Sequence, residues 1–162
     1  MKFLYCYNTK IGRIRIAEEN RYITNIYFEN KELNLDNYEI LETDLIKEAS
    51  VQINEYLNGK RKEFNLPIKP NGTDFKLSVW NRLLEIPYGE TNSYKDIAIS
   101  IENPKACRAV GLANNTNPIP IIIPCHRVIG SNKKLVGYAG GLKIKQFLLD
   151  LESENRWYSL SK

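Results

Sequence analysis

The sequence predicts an α+β fold, with a small antiparallel sheet and one helix over residues 1–70 and an all-helical domain over residues 71–162. Three observations predict it. Apolar and polar residues alternate in the first 30 residues, as they do in half-buried strands. Apolar residues then recur at helical spacing over residues 43–58 and again after residue 72. Between these two parts, residues 61–72 include Pro67, Pro70, Asn71 and Gly72, which is typical of a linker.

The composition fits a globular chain without a membrane span. The 162 residues are 43% hydrophobic and 26% charged, so extensive disorder is excluded. We find no run of about 18 apolar residues and no signal peptide at the N-terminus. Three cysteines without paired spacing, with one histidine, indicate a cytoplasmic protein with free thiols and no metal site of the Cys/His type. The net charge of +4 only weakly favours a polyanionic partner.

The elements of the first domain follow from these patterns. Ile14 and Ile16 alternate with arginines, and residues 22–28 repeat the alternation, so both runs are predicted strands. Residues 43–58 are a predicted helix, and Gly59 fits its C-terminal end.

The second domain begins with helix caps. Thr73 or Asp74 caps a helix that ends near Pro87, Ser93 caps a second helix, and Asn103-Pro104 opens a third. Two short helices joined by a tight turn are the outline of a helix-turn-helix. Short helix pairs are common, so this outline alone leaves DNA binding open.

The only histidine, His126, directly follows Cys125 in the stretch IPCHRV. A thiolate is a good nucleophile, and a histidine can take its proton near neutral pH. Three prolines between residues 118 and 124 favour a rigid, extended path that holds the thiol in place. The residues also allow a second interpretation, in which Cys125 is a core thiol, His126 a satisfied side chain and Arg127 a solvated charge.

A series of short motifs decides between these interpretations. They are SY at 93–94, NPKA at 103–106, RAVG at 108–111, NPIP at 117–120, IPCHRV at 123–128, GYAGGLK at 137–143 and LLDLE at 148–152. In order and spacing they resemble the O6-alkylguanine-DNA alkyltransferases, also called methylated-DNA–protein-cysteine methyltransferases. The resemblance is dense over about half the chain, and the N-terminal residues add a compatible ribonuclease H-like outline.

The resemblance implies DNA repair by direct alkyl transfer. The family moves an alkyl group, such as methyl, from O6 of guanine in double-stranded DNA, and less well from O4 of thymine, to its own cysteine. The thioether is not reversed, so each molecule acts once, without a cofactor. The target nucleotide must be flipped out of the duplex. We expect a monomer that binds DNA and no membrane, and cooperative binding along DNA stays open.

Matching positions assign the catalytic roles. Cys125 is the alkyl acceptor, His126 is its base through a bound water, and Glu152 orients the histidine. Asn117 braces the proline segment, and Tyr94 donates a hydrogen bond or a proton to the departing guanine.

The same resemblance assigns the pocket and the DNA-binding face. The substrate-binding residues are Arg108, Tyr138, Ala139, Pro120 and Val128, and the DNA-binding residues are Arg108, Ala109, Gly111, Asn115 and Tyr94. Arg108 would fill the space that the flipped base leaves in the minor groove. Two positions depart from some relatives: Ala139 replaces a serine, so only its backbone N–H could bind O6, and Asn115 replaces a basic residue.

Two other functions would fit parts of the sequence. Alkyltransferase-like proteins bind lesions without transfer and usually carry tryptophan in place of the acceptor cysteine, so Cys125 argues against that function. A helix-turn-helix regulator would be expected to dimerise, and the sequence shows no dimer face.

Overall fold

The computed structural model describes residues 1–130 and 136–156. Contacts divide the chain into two compact units, Met1–Asn71 and Gly72–Lys162. Over the described ranges, we find no helix with the length and apolar character needed to cross a membrane.

The first unit is a four-stranded sheet with a helix. Its strands are β1 (Lys2–Thr9), β2 (Gly12–Glu19), β3 (Tyr22–Phe28) and β4 (Glu39–Ile40), in the spatial order β3-β2-β1-β4, and its helix is α1 (Asp44–Leu57). The first three strands are antiparallel, as predicted. The sheet also has an edge strand that was not predicted, since β4 pairs in parallel with β1. The long connection from β3 through a 3-10 turn lets β4 enter in that direction.

Local sequence explains most of this unit. The Thr43 hydroxyl accepts a hydrogen bond from the Ile46 N–H and caps α1. The stretch predicted as a linker is partly ordered against the sheet, which alternation could not show. The Ile23 N–H donates to the Pro67 carbonyl, and the Lys69 N–H donates to the Ile23 carbonyl, both at 2.9 Å.

Within its described residues, the second unit carries four α-helices around a short parallel strand pair. The helices are α2 (Asp74–Leu83), α3 (Tyr94–Ser100), α4 (Cys107–Asn115) and α5 (Leu142–Asn155), and the strands are β5 (Asn92–Ser93) and β6 (Val128–Ile129). The prediction of an all-helical unit is therefore wrong by these two strands. Each strand has two residues, which is too short to show a period-two pattern in the sequence. Their pairing places the start of α3 beside residue 128. The α+β class is confirmed.

The helix-turn-helix outline corresponds to α3 and α4. Ser93 caps α3 in a reciprocal capping box with Asp96. The α-helix of α4 begins at Cys107, later than the predicted start at Asn103-Pro104. The Ala106 N–H instead donates to the Asn103 carbonyl at 3.0 Å, which is a tighter turn than an α-helix makes.

Candidate functional site

The segment before Cys125 doubles back on itself. The Asn117 amide donates to the Ile123 carbonyl at 2.8 Å and accepts from the Ile119 N–H at 2.9 Å, while the Ile123 N–H donates to the Ile119 carbonyl at 2.9 Å. The predicted extended path is therefore wrong. The bend passes through Ile121, a buried β-branched residue at φ +75°. Such strain costs about 1–3 kcal/mol, and the surrounding packing holds it.

Cys125 lies in a 3-10 turn, Cys125–Arg127, and is 2% exposed. The buried amide of Asn114, on α4, donates to the Cys125 carbonyl at 3.2 Å and so connects the second helix of the pair to the turn. Burial raises the pKa of the thiol to about 11, although a hydrogen bond with Asn117 and the charge of Lys145 act against this. At neutral pH the thiol is protonated, so its use as a nucleophile requires a base.

His126, Arg127 and Glu152 form a buried cluster. The His126 Nε2 lies 2.7 Å from the Glu152 Oε2. The Arg127 guanidinium donates twice to the same carboxylate, at 2.8 and 3.0 Å, and to the Ile86 carbonyl at 2.7 Å. The Gly89 N–H also donates to Glu152, at 3.1 Å. Arg127 is thus not a solvated charge: it is 7% exposed and neutralises a buried carboxylate.

The charges in this cluster fix the histidine tautomer. Burial alone would raise the pKa of Glu152, but its hydrogen bonds with His126 and Arg127 hold that pKa well below its usual range. An ionised carboxylate only accepts, so His126 donates its Nε2 proton and Nδ1 carries the lone pair. Burial lowers the pKa of His126 despite the opposing effect of Glu152. The imidazole is therefore neutral at pH 7 and able to act as a base.

Two tyrosines lie close to the thiol. The Tyr94 hydroxyl donates to the Val136 carbonyl at 3.2 Å. Burial raises the pKa of Tyr94, with a smaller contribution from Cys125, while a hydrogen bond with Asn114 lowers it. Burial and then the negative charges of Cys125 and Glu152 raise the pKa of Tyr138 well above its usual range. Both phenols keep their protons at neutral pH.

Sequence reasoning missed Lys145, which points into the unit from α5. Its ammonium is fully buried and donates to the carbonyls of Val128, Val136 and Gly137, at 2.7, 2.8 and 3.3 Å. Burial lowers its pKa to about 8, opposed by Cys125. Lys145, Leu148 and Glu152 share the buried face of α5, and charged residues usually mark the solvent face of a helix, so no clear signal for Lys145 was present in the sequence.

The remaining predicted residues occupy two environments. Pro120 and Val128 are buried beside the turn, and Gly111 packs on Tyr94, where an added Cβ would lie 3.9 Å from the ring. Arg108, Ala109, Asn115 and Ala139 are exposed.

Asn115 also contacts the segment before Tyr138. An added Cβ at Gly137 would lie 2.7 Å from the Asn115 amide nitrogen, and Gly137 adopts φ +48°. A side chain at position 137 would therefore clash, which explains the glycine.

Within residues 1–130 and 136–156, we find no group of three His, Cys, Asp or Glu side chains that could hold an ion.

Family models match both units. The 6-O-methylguanine DNA methyltransferase ribonuclease-like domain matches residues 4–70, and the DNA binding domain of the same family matches residues 74–154. A methylated-DNA–protein-cysteine methyltransferase of Methanosarcina acetivorans is 51% identical over 90% of this chain and 95% of its own. The constitutive one of Bacillus subtilis is 45% identical over 94% of this chain and 96% of its own.

Solved structures agree with these relatives. The O6-methylguanine methyltransferase of Mycobacterium tuberculosis matches with a TM-score of 0.86 and 40% identity, over 96% of this chain and 94% of its own. Mycobacterium tuberculosis OGT in complex with DNA matches with a TM-score of 0.88 and 41% identity, over 94% of each chain.

Proposed function

The chain belongs to the 6-O-methylguanine DNA methyltransferase family, which confirms the resemblance of its motifs, and we propose that Cys125 is its alkyl acceptor. It repairs DNA by transferring an alkyl group from the DNA to a cysteine of the protein itself. The observation that carries the assignment to Cys125 is a buried thiol followed by a neutral histidine whose Nε2 lies 2.7 Å from an ionised glutamate.

The transfer is a direct displacement. The Cys125 proton passes through a bound water to Nδ1 of His126, and the resulting thiolate attacks the alkyl carbon. The carbon–sulfur bond forms as the bond to O6 breaks, and that electron pair leaves with the guanine. Tyr94 donates a hydrogen bond or its proton to the guanine ring, since a neutral base leaves more easily than an anion. The product is a stable thioether, so each molecule acts once.

The substrate is O6-alkylguanine in double-stranded DNA, with O4-alkylthymine a poorer one. Its nucleotide is flipped into a pocket walled by Tyr138, Pro120 and Val128, and the backbone N–H of Ala139 binds O6. The pair α3 and α4 binds the minor groove through Arg108, Ala109, Gly111, Asn115 and Tyr94.

The same proposal covers the roles of the two units, the monomeric state and the cellular compartment. Residues 71–162 carry the chemistry and the DNA-binding helices, and residues 1–70 form a separate domain. The protein acts as a monomer, because one molecule supplies the thiol, base and DNA-binding helices. The cytoplasm is the fitting compartment, since Cys6, Cys107 and Cys125 are free thiols and the acceptor must stay reduced.

The first prediction concerns the acceptor. Incubation with O6-benzylguanine as free base, and separately with methylated duplex DNA, is expected to add one benzyl or one methyl group per molecule. Intact-protein mass spectrometry measures the stoichiometry, and peptide mapping locates the group on Cys125. Cys125→Ala is expected to gain no mass while still binding duplex DNA. Modification of Cys6 or Cys107, or an unmodified protein with both substrates, contradicts the assignment.

The second prediction concerns the exposed cation of α4. Arg108→Ala is expected to slow transfer from methylated duplex DNA by about 1–3 kcal/mol in activation free energy. Arg108 would fill the space that the flipped nucleotide leaves in the base stack. The free base has no duplex around it, so its transfer does not require this contact. Single-turnover rates with duplex and with O6-benzylguanine measure the difference. Equal slowing with both substrates would place Arg108 in the pocket.

A further inference from the structure

Lys145 connects the strand that follows the reactive turn to the segment that precedes Tyr138. Its ammonium donates to the Val128 carbonyl on β6 and to the carbonyls of Val136 and Gly137. These three acceptors match the three donors of an ammonium group. The Val136 carbonyl is shared with the Tyr94 hydroxyl, so the same contact also holds a residue of α3.

A fully buried lysine is costly to keep. Moving an ammonium out of water costs several kcal/mol even when it is well hydrogen-bonded, and an apolar side chain of similar size would avoid this. Neutral carbonyls contribute no opposite charge. Among the described residues, the acidic group that favours the charged form of Lys145 is Cys125, and Lys145 in turn favours the thiolate.

We propose that Lys145 is a positioning residue for alkyl transfer, which holds segment 136–137 against β6 beside Cys125 and stabilises the thiolate as it forms. This inference rests on the function proposed above. Lys145 itself does not touch the alkyl group. It gives the site a positive charge at the moment when negative charge appears on sulfur, in a place from which water is excluded.

Other charged groups near this ammonium cannot replace it. Glu152 and Arg127 neutralise each other through two hydrogen bonds. His126 is neutral before transfer, because burial lowers its pKa, and the imidazolium that forms when it takes the thiol proton is bound to the Glu152 carboxylate. The phenols of Tyr94 and Tyr138 stay protonated. Lys145 therefore carries a positive charge that is present before the thiol ionises and that, in the contacts of the described residues, meets neutral carbonyls only.

The test compares Lys145→Met and Lys145→Arg with the wild-type protein. Lys143→Met is the matched control, since Lys143 is exposed on the same helix. Single-turnover rates with O6-benzylguanine are measured from about pH 6.5 to 9.5, a range that brackets the titration of a lysine with a lowered pKa, together with thermal melting. We expect Lys145→Met to react at least about tenfold more slowly at pH 7 while remaining folded. We expect Lys145→Arg, which keeps the charge, to recover most of that rate.

The pH profile separates a charge effect from a purely structural one. The wild-type rate is expected to fall as the pH rises through about 8, where Lys145 loses its proton. This decline should be absent in Lys145→Met and Lys145→Arg and present in Lys143→Met. An unchanged rate and profile in Lys145→Met overturns the proposal, and so does a uniform slowing with the decline retained. A wild-type protein that does not react at all overturns the proposed function instead.

Discussion

Glu152→Ala is expected to lower the free energy of unfolding by about 3–5 kcal/mol. In the wild-type protein this carboxylate accepts hydrogen bonds from His126, Arg127 and the Gly89 N–H. Its removal leaves the buried guanidinium of Arg127 without a counter-charge, and an uncompensated buried charge is among the most destabilising changes known. Urea denaturation measures the loss.

The same variant is expected to lose reactivity. Without Glu152, the imidazole of His126 loses the carboxylate that accepts its Nε2 proton, and the nitrogen that carries the lone pair is no longer fixed. Glu152→Gln keeps the shape of the side chain and one hydrogen-bond acceptor. We therefore expect it to lose less stability than Glu152→Ala, while its transfer rate stays low. Glu154→Ala is the matched control, because Glu154 is exposed on the same helix. A loss of less than about 1 kcal/mol in Glu152→Ala would mean that the cluster adds little to stability.

The cluster also sets how stability depends on pH. The pKa of Glu152 is depressed in the folded protein. Its contribution to the free energy of unfolding is therefore complete above the pKa of the unfolded chain, about 4.3, and is lost as the pH falls from there toward the pKa of the folded protein. The pKa of His126 is also depressed, so folding loses stability as the pH falls below about 6.5, where the unfolded histidine takes up a proton.

Local signals in the sequence predicted α1, α2 and α3 and the caps of α2 and α3, whereas α4 begins later than its predicted cap. Thr43, Thr73 and Ser93 cap their helices through bonds to residues three positions ahead, and such contacts depend on nearby sequence alone. The short strands β5 and β6 were missed, since each exists only because the other lies beside it.

In the site, too, the features set by nearby residues were predicted and those set by distant contacts were not. Cys125 and His126 are adjacent in sequence, so their chemistry could be proposed from the residues and then strengthened by the resemblance. Arg127 could not be placed, because its burial depends on α5 returning to the turn 25 residues later. The bend at Ile121 was also hidden: an isoleucine gives no sign of a left-handed conformation that packing imposes.

His126→Gln is expected to slow the reaction with O6-benzylguanine by about a hundredfold to ten-thousandfold at pH 7. Burial raises the pKa of Cys125 to about 11, so without a base only a small fraction of the protein holds a thiolate. In the wild-type protein the neutral imidazole takes the proton, and its lowered pKa keeps it available across the neutral range. The measurement is the single-turnover rate against pH, with the melting temperature recorded for each protein.

The dependence of the two transfer rates on pH shows whether His126 acts as the base. Between about pH 6.5 and 7.5 the wild-type rate should be nearly level, because most of the base is unprotonated across that range and Lys145 still keeps most of its charge. The His126→Gln rate should instead rise about tenfold for each pH unit, since it follows the thiolate fraction of a group with a far higher pKa. A wild-type rate that climbs just as steeply would show that Cys125 ionises without His126. In that case His126 and Glu152 would stabilise the turn, and the charge of Lys145 alone would support the thiolate.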